Sequence, residues 1–91
     1  GIIVLDIKGR LDTANARDFS IAIQPLLQED KPNIIVNCEQ MSYISSSGLR
    51  CFLILQKSVQ KNQGSLIIEA MRPEIKNIFE MTGCTSLFNI R

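Results

Sequence analysis

Apolar and polar positions alternate from the start of the chain. Across residues 2–8, Ile3, Leu5 and Ile7 fall on one side of an extended backbone, with Val4, Asp6 and Lys8 on the other. A period of two predicts a strand with one buried face. Gly9 is expected to end it. Asp12 and Thr13 then offer side-chain oxygens to unpaired backbone N–H groups, the usual signal for a helix start. Ala16, Phe19, Ile23, Leu26 and Leu27 follow at helical spacing, so one stripe should face a core. Pro25 interrupts that stripe. It lacks an N–H and crowds the preceding turn, and should kink or divide the helix near Gln24.

After the polar break at residues 29–32, the aliphatic run at 33–38 predicts a central strand. Residues 39–44 read as a connection. Ser46 or Ser47 is expected to cap a second helix running to about residue 62, with Gly64 closing the turn beyond it. Residues 66–69 predict a third strand. Pro73 suits the first turn of a third helix, with Ile75, Ile78 and Phe79 inward and Gly83 at its end. Residues 87–90 predict a last edge strand. Strands that alternate with helices in this way imply an α/β layer structure with at least some parallel pairing. Strand-like residues at both ends point to a further strand before Gly1 and a helix after Arg91.

Composition narrows the function. A chain of 91 residues has room for one domain, which buries only roughly 60–65% of its unfolded surface. A hydrophobic fraction of 45% and a charged fraction of 21% exclude disorder. The net charge is +1, and its ten basic and nine acidic residues are dispersed. Without a basic run to neutralise phosphates, a nucleic-acid partner is not expected. No apolar stretch reaches the roughly 20 residues that cross a bilayer, and no signal peptide is recognisable, so a cytoplasmic location without membrane contact is expected. Cys38, Cys51 and Cys84 sit among aliphatic residues with no CxxC pair, as buried reduced thiols do. There is no histidine, which excludes Ser-His-Asp and Cys-His nucleophile systems and any histidine metal site. No paired-carboxylate pattern presents itself either, and neither an enzyme nor a bound metal or cofactor is expected.

The most informative segment is Met41-Ser42-Tyr43-Ile44-Ser45-Ser46-Ser47-Gly48-Leu49-Arg50. Three consecutive hydroxyls occupy the junction between a buried strand and a helix. Unbonded N–H groups and the positive end of the helix dipole favour an anion there, and a phosphoserine would bring roughly −1.5 to −2 charges. Gly48 leaves the backbone open to close approach by a partner. Serine at a helix start is equally accounted for by capping alone, and the residues themselves leave both readings open. On the helix that follows, Arg50, Ile54, Lys57 and Lys61 share one face. That face is either a docking surface or simply the solvated side.

Four stretches together resemble the STAS family, the domain shared by sulphate transporters and anti-sigma factor antagonists. They are Gly9-Arg10-Leu11-Asp12; Ile34-Ile35-Val36-Asn37-Cys38 leading into Met41-Ser42-Tyr43-Ile44; Ser45-Ser46-Ser47-Gly48-Leu49; and Pro73-Glu74-Ile75-Lys76-Asn77-Ile78-Phe79-Glu80-Met81-Thr82-Gly83. The resemblance implies a single domain over residues 1–91. Its fold would be of the antagonist type, a mixed, mostly parallel sheet of about four strands with three to four helices.

It further implies a partner-switching role. The unmodified protein binds an anti-sigma factor that is a serine kinase, which releases a sigma factor. Phosphorylation of Ser46, with Ser47 as fallback acceptor, switches the contact off, and a serine phosphatase reverses it. The ATP and metal of that cycle belong to the partners. Asp12, Ser45, Ser46, Ser47, Gly48, Arg50, Ile54 and Lys57 become candidate partner-binding residues. Asp12 has a rival role as a cap, and Arg10 reads as a solvated turn residue. One departure stands out: Ser45 replaces the family's aspartate. Either the kinase tolerates the change, or the chain is a constitutive binding module. The competing function is a regulatory or scaffold domain of a transporter, lipid-transport complex or signalling assembly. Oligomeric state is left open.

Overall fold

The computed structural model describes residues 1–91. Strands and helices alternate: β1 (Ile2–Leu11), α1 (Ala16–Ile23), β2 (Asn33–Ile44), α2 (Ser46–Lys61), β3 (Ser65–Glu69), α3 (Pro73–Met81) and β4 (Asn89–Ile90). Short 3-10 segments fill Gln24–Gln28 and Cys84–Leu87. The sheet order is β1-β2-β3-β4 and every neighbouring pair is parallel. Each crossover therefore steps to the next strand in the same direction, and right-handed crossovers then place every helix on one face of the sheet. Burial follows that geometry. Ile34, Val36, Leu66 and Ile68 are buried under the helices, whereas Ile2 and Val4 on the other face are 67% and 56% exposed.

The core lies between sheet and helices. Phe52 of α2 stands at its centre, with ring centroids of Phe19, Phe79 and Phe88 at 5.8, 6.1 and 6.5 Å. Pro25 acts as expected: α1 ends at Ile23 and the tighter 3-10 turn takes over. Cys38, Cys51 and Cys84 are all buried and unpaired. No helix is long and apolar enough to cross a membrane.

Two expectations about the strands need correction. Gly9 does not end β1, and residues 39–44 are not a connection but the second half of β2. Gly9 adopts a left-handed φ of 75°, and the register slips between Asp6 and Lys8 and again between Gly9 and Arg10. These irregularities bend the pair without breaking it, and pairing continues through Arg10↔Tyr43 and Leu11↔Ile44. Each slip changes which side chain faces the core, so Cys38, Met41 and Ile44 are buried at every third position. A search for period two cannot see such a strand.

Smaller corrections concern the turns. After α2 it is Gln63, not Gly64, that takes the left-handed conformation, with φ of 62°. The N–H of Gly64 donates to the carbonyl of Val59 at 2.9 Å and that of Gln63 to Gln60 at 3.2 Å, which satisfies the last carbonyls of the helix. Gly64 is required for another reason: a Cβ there would collide with the carbonyl oxygen of Pro32. The last strand is only Asn89–Ile90, because Leu87 belongs to the preceding 3-10 segment.

Candidate functional site

β1 and β2 both deliver their C-terminal ends to the start of α2. The N–H of Ser45 donates to the carbonyl of Leu11 at 2.8 Å, which ties the end of β1 to the α2 junction. Ser45 itself is extended and its Oγ accepts the N–H of Gly48 at 3.2 Å. The expected cap, Ser46 or Ser47, is thus displaced by one: Ser45 is the cap, and the other two serines are the first helical residues. A serine oxygen here does the capping that an aspartate would do, without the charge.

The three hydroxyls are not equivalent. Ser45 is half-buried and spent on its cap. Ser47 is half-buried, and its Oγ lies 3.5 Å from Oγ1 of Thr13, at hydrogen-bond distance. Ser46 is exposed and has no hydrogen-bonded side-chain partner among the bonds of the site. Contrary to the expectation from the sequence, Gly48 is not open to close approach by a partner but buried, with its α-carbon face closed by Leu11 and Ile44. Further along the same helix, Arg50, Lys57 and Lys61 are exposed and Ile54 is 44% exposed. α2 carries these three cations and no acidic residue.

The connection between β1 and α1 forms the other wall. Asp12 accepts the N–H groups of Ala14 and Asn15 through Oδ1 at 3.1 and 3.2 Å, and its Oδ2 lies 3.5 Å from Nε of Arg10. Asn15 returns the contact, accepting the N–H of Asp12 at 2.8 Å and donating to the carbonyl of Arg10 at 2.7 Å. Asp12 therefore braces the turn before α1 rather than the first helical residue. Arg10 is not a free turn residue. Its guanidinium sits 4.4 Å from the centroid of the Tyr43 ring, an arrangement favoured by the ring's negative face.

Sequence reasoning missed Thr13, Asn15 and Tyr43 as members of this corner. Their proximity depends on the register that pairs Arg10 with Tyr43, and so on recognising that β1 runs on past Gly9 and β2 past Cys38. Of the predicted site residues, Asp12, Ser45, Ser46, Ser47 and Gly48 come together around the start of α2. Arg50, Ile54 and Lys57 extend from there along its outward face.

Burial pushes the Cys51 thiol above its usual value, while the charge of Arg50 pulls partly back. The thiol approaches the carbonyl of Ala16 at 3.5 Å and helps to seat α2 against α1. No group of three or more acidic, cysteine or histidine side chains is placed to hold a metal ion. Strands in plain sequential order have no switch point, the place where open α/β sheets form a ligand crevice. Two hollows of about 150 and 180 Å³ involve Asp6, Lys8, Asn37 and Gln40, and Ile2, Ile35 and Ile67, away from the serines. The corner is thus an open protein surface bearing one unengaged hydroxyl and a row of cations.

The sequence matches the STAS domain family over residues 1–91. The chain belongs to the STAS family. An anti-sigma-B factor antagonist of Staphylococcus aureus is 30% identical over 84 residues, which span 92% of this chain and 78% of that protein. Among solved structures, a protein assigned as an anti-sigma factor antagonist from Thermotoga maritima superposes with a TM-score of 0.90 at 17% identity, covering 98% of this chain and 77% of its own. The unphosphorylated anti-sigma factor antagonist SpoIIAA does so with a TM-score of 0.74 at 19% identity, over 99% and 78% of the two chains. These likenesses establish the STAS fold, here in a wholly parallel four-stranded form.

Proposed function

We propose that this STAS domain is an anti-sigma factor antagonist whose grip on an anti-sigma factor kinase is released by phosphorylation of Ser46. The carrying observation is the inequality of the three serines: Ser45 caps, Ser47 meets Thr13, and Ser46 alone is exposed and unengaged. Relatives named as anti-sigma factor antagonists support the role. The docking surface comprises Asp12, the turn from Ser45 to Ser47, which Gly48 seats on the core, and Arg50, Ile54 and Lys57 on α2. In the transfer, a bond forms between Oγ of Ser46 and the terminal phosphorus of ATP. The bond from that phosphorus to the ADP oxygen breaks, and the hydroxyl proton passes to a base on the kinase. A serine phosphatase later returns the hydroxyl. Nucleotide and metal reside in those partners.

A surface charge of roughly −1.5 to −2 at the centre of a contact must be desolvated or paired, and an interface built for a neutral hydroxyl does neither. Ser45 caps α2 through its Oγ, as an aspartate can, so the acceptor keeps its place at the helix start without that charge. Incubation with the kinase and ATP, followed by mass spectrometry, should place one phosphate on Ser46. Ser46→Ala should abolish it, and Ser46→Asp should weaken kinase binding. Normal labelling of Ser46→Ala would eliminate Ser46 as the site.

A further inference from the structure

Ser46 and Arg50 stand four residues apart on the solvent side of α2, and both are exposed. Residues at that spacing hold their Cβ atoms about 5–6 Å apart, with the acidic partner best placed N-terminal to the basic one. Arg50 is free to respond, because the ion pairs of the chain are Arg10 with Asp12 and Arg91 with Glu69. Two other charges at the corner are committed. Arg10 is held by Asp12 and Tyr43, and Asp12 is occupied by Arg10 and by the N–H groups of Ala14 and Asn15. Lys57 and Lys61 lie about 16 and 22 Å from Ser46 along the helix axis, at a rise of about 1.5 Å per residue. A guanidinium matches phosphate oxygens with two parallel N–H donors, which a single ammonium does not.

We propose that a phosphoryl group on Ser46 captures Arg50 in an intrachain ion pair. Modification then does two things at once: it places an anion at the start of the docking face and withdraws from it the nearest cation of α2. Unmodified, Arg50 is available to an acidic group on the partner. Phosphorylated, it turns back one helical turn. This inference rests on Ser46 as the acceptor, and it deepens that reading by naming what the phosphate does to the surface.

The test installs phosphoserine at position 46 of the full chain during translation, so that no kinase is needed. Phosphorus-31 NMR at low ionic strength then follows the second ionisation of the phosphate, ordinarily near 6. An ion pair favours the dianion, so Arg50→Gln should raise that pKa by about 0.2–0.4 units over the unsubstituted phosphoprotein. Lys57→Gln, too far away, should leave it unchanged. Equal pKa values in the Arg50→Gln and unsubstituted phosphoproteins would overturn the proposal, as would an equal rise in Lys57→Gln. Both substitutions are on exposed positions, and circular dichroism verifies the fold. Failure of the kinase to label Ser46 would count against the proposed function alone, since this measurement is made without it.

Discussion

Gly48→Ala probes the junction on which the site is built. A Cβ at position 48 would lie 2.9 Å from Cγ1 of Ile44, 2.9 Å from Cγ of Leu11 and 3.0 Å from Cδ2 of Leu11. Real Cβ contacts are essentially never so short, and the neighbours have little room to yield: Leu11 and Ile44 are 4% and 2% exposed. Overpacking of this kind costs about 1–3 kcal/mol. Opposing it, alanine gains up to about 1 kcal/mol over glycine in a helix interior. The first turn of α2 realises only part of that gain, because its N–H groups depend on the cap. The steric term wins, and the variant should be destabilised by about 1–2 kcal/mol. For a domain this small, that lowers the melting temperature by about 5–15 °C. Urea denaturation should show an earlier midpoint with an unchanged slope. Shortening the neighbour should relieve part of the clash, so Gly48→Ala combined with Leu11→Val should be less damaging than the two singles added together. A Gly48→Ala protein as stable as wild type, or more so, would refute the claim that close packing rather than backbone freedom selects glycine here.

Further expectations come from other parts of the fold. Ser45→Ala removes the oxygen that caps Gly48 and should cost about 1 kcal/mol in thermal denaturation, whereas Ser45→Asp should match or exceed wild type. Phe52→Ala empties the centre of the aromatic cluster, where Phe52 is 1% exposed, and should cost about 3–5 kcal/mol in urea unfolding. Burial pushes the Cys38 thiol from 9.0 up to about 12, so a thiol reagent at pH 8 should leave it unlabelled until the chain unfolds. The same shift governs alkaline stability. Above about pH 9 the unfolded thiol loses its proton while the folded one keeps it. Stability should therefore be full below pH 9 and decline towards pH 12, by up to about 1.4 kcal/mol per pH unit. Cys38→Ala should show a shallower decline in urea titrations across that range, with the residual slope supplied in part by Cys51, whose thiol burial also raises.

Much of this fold is legible because its hydrophobic periods are clean where the backbone is regular. The stripe of Ile75, Ile78 and Phe79, the break at Pro25 and the left-handed Gly83 all stand where local chemistry puts them. Legibility fails where a tertiary contact decides. The far halves of β1 and β2 support each other through two register slips, and neither half carries a regular alternation of its own. Gly64 is a similar case. Its spacing suggests a conformational role, yet the crowding atom is the carbonyl of Pro32, which is distant in sequence. The serine cluster was readable as a helix start, but not which serine caps. That depends on the bond between the Ser45 N–H and Leu11, which sets where the chain turns from strand to helix.

A serine rather than an aspartate at the cap has an electrostatic consequence of its own. Capping requires an oxygen acceptor, and Ser45 supplies one. What it omits is a permanent negative charge beside the acceptor hydroxyl. Neither the cap nor the first turn of α2 contains an acidic residue, and the face beyond carries Arg50, Lys57 and Lys61. Along α2 the unmodified surface is therefore wholly cationic, and the nearby carboxylate of Asp12 is engaged by Arg10. Under the proposed switch, a phosphate of roughly −1.5 to −2 charges would cancel about half to two thirds of those three positive charges in one step, where the positive end of the helix dipole also acts. An aspartate at position 45 would begin the cycle with one anion already in place, and would repel the incoming phosphate from one residue away. In the proposed cycle the serine would thus widen the difference between the two states of the docking face. An acidic partner surface would read that difference as attraction largely withdrawn, in addition to any clash at the serine itself.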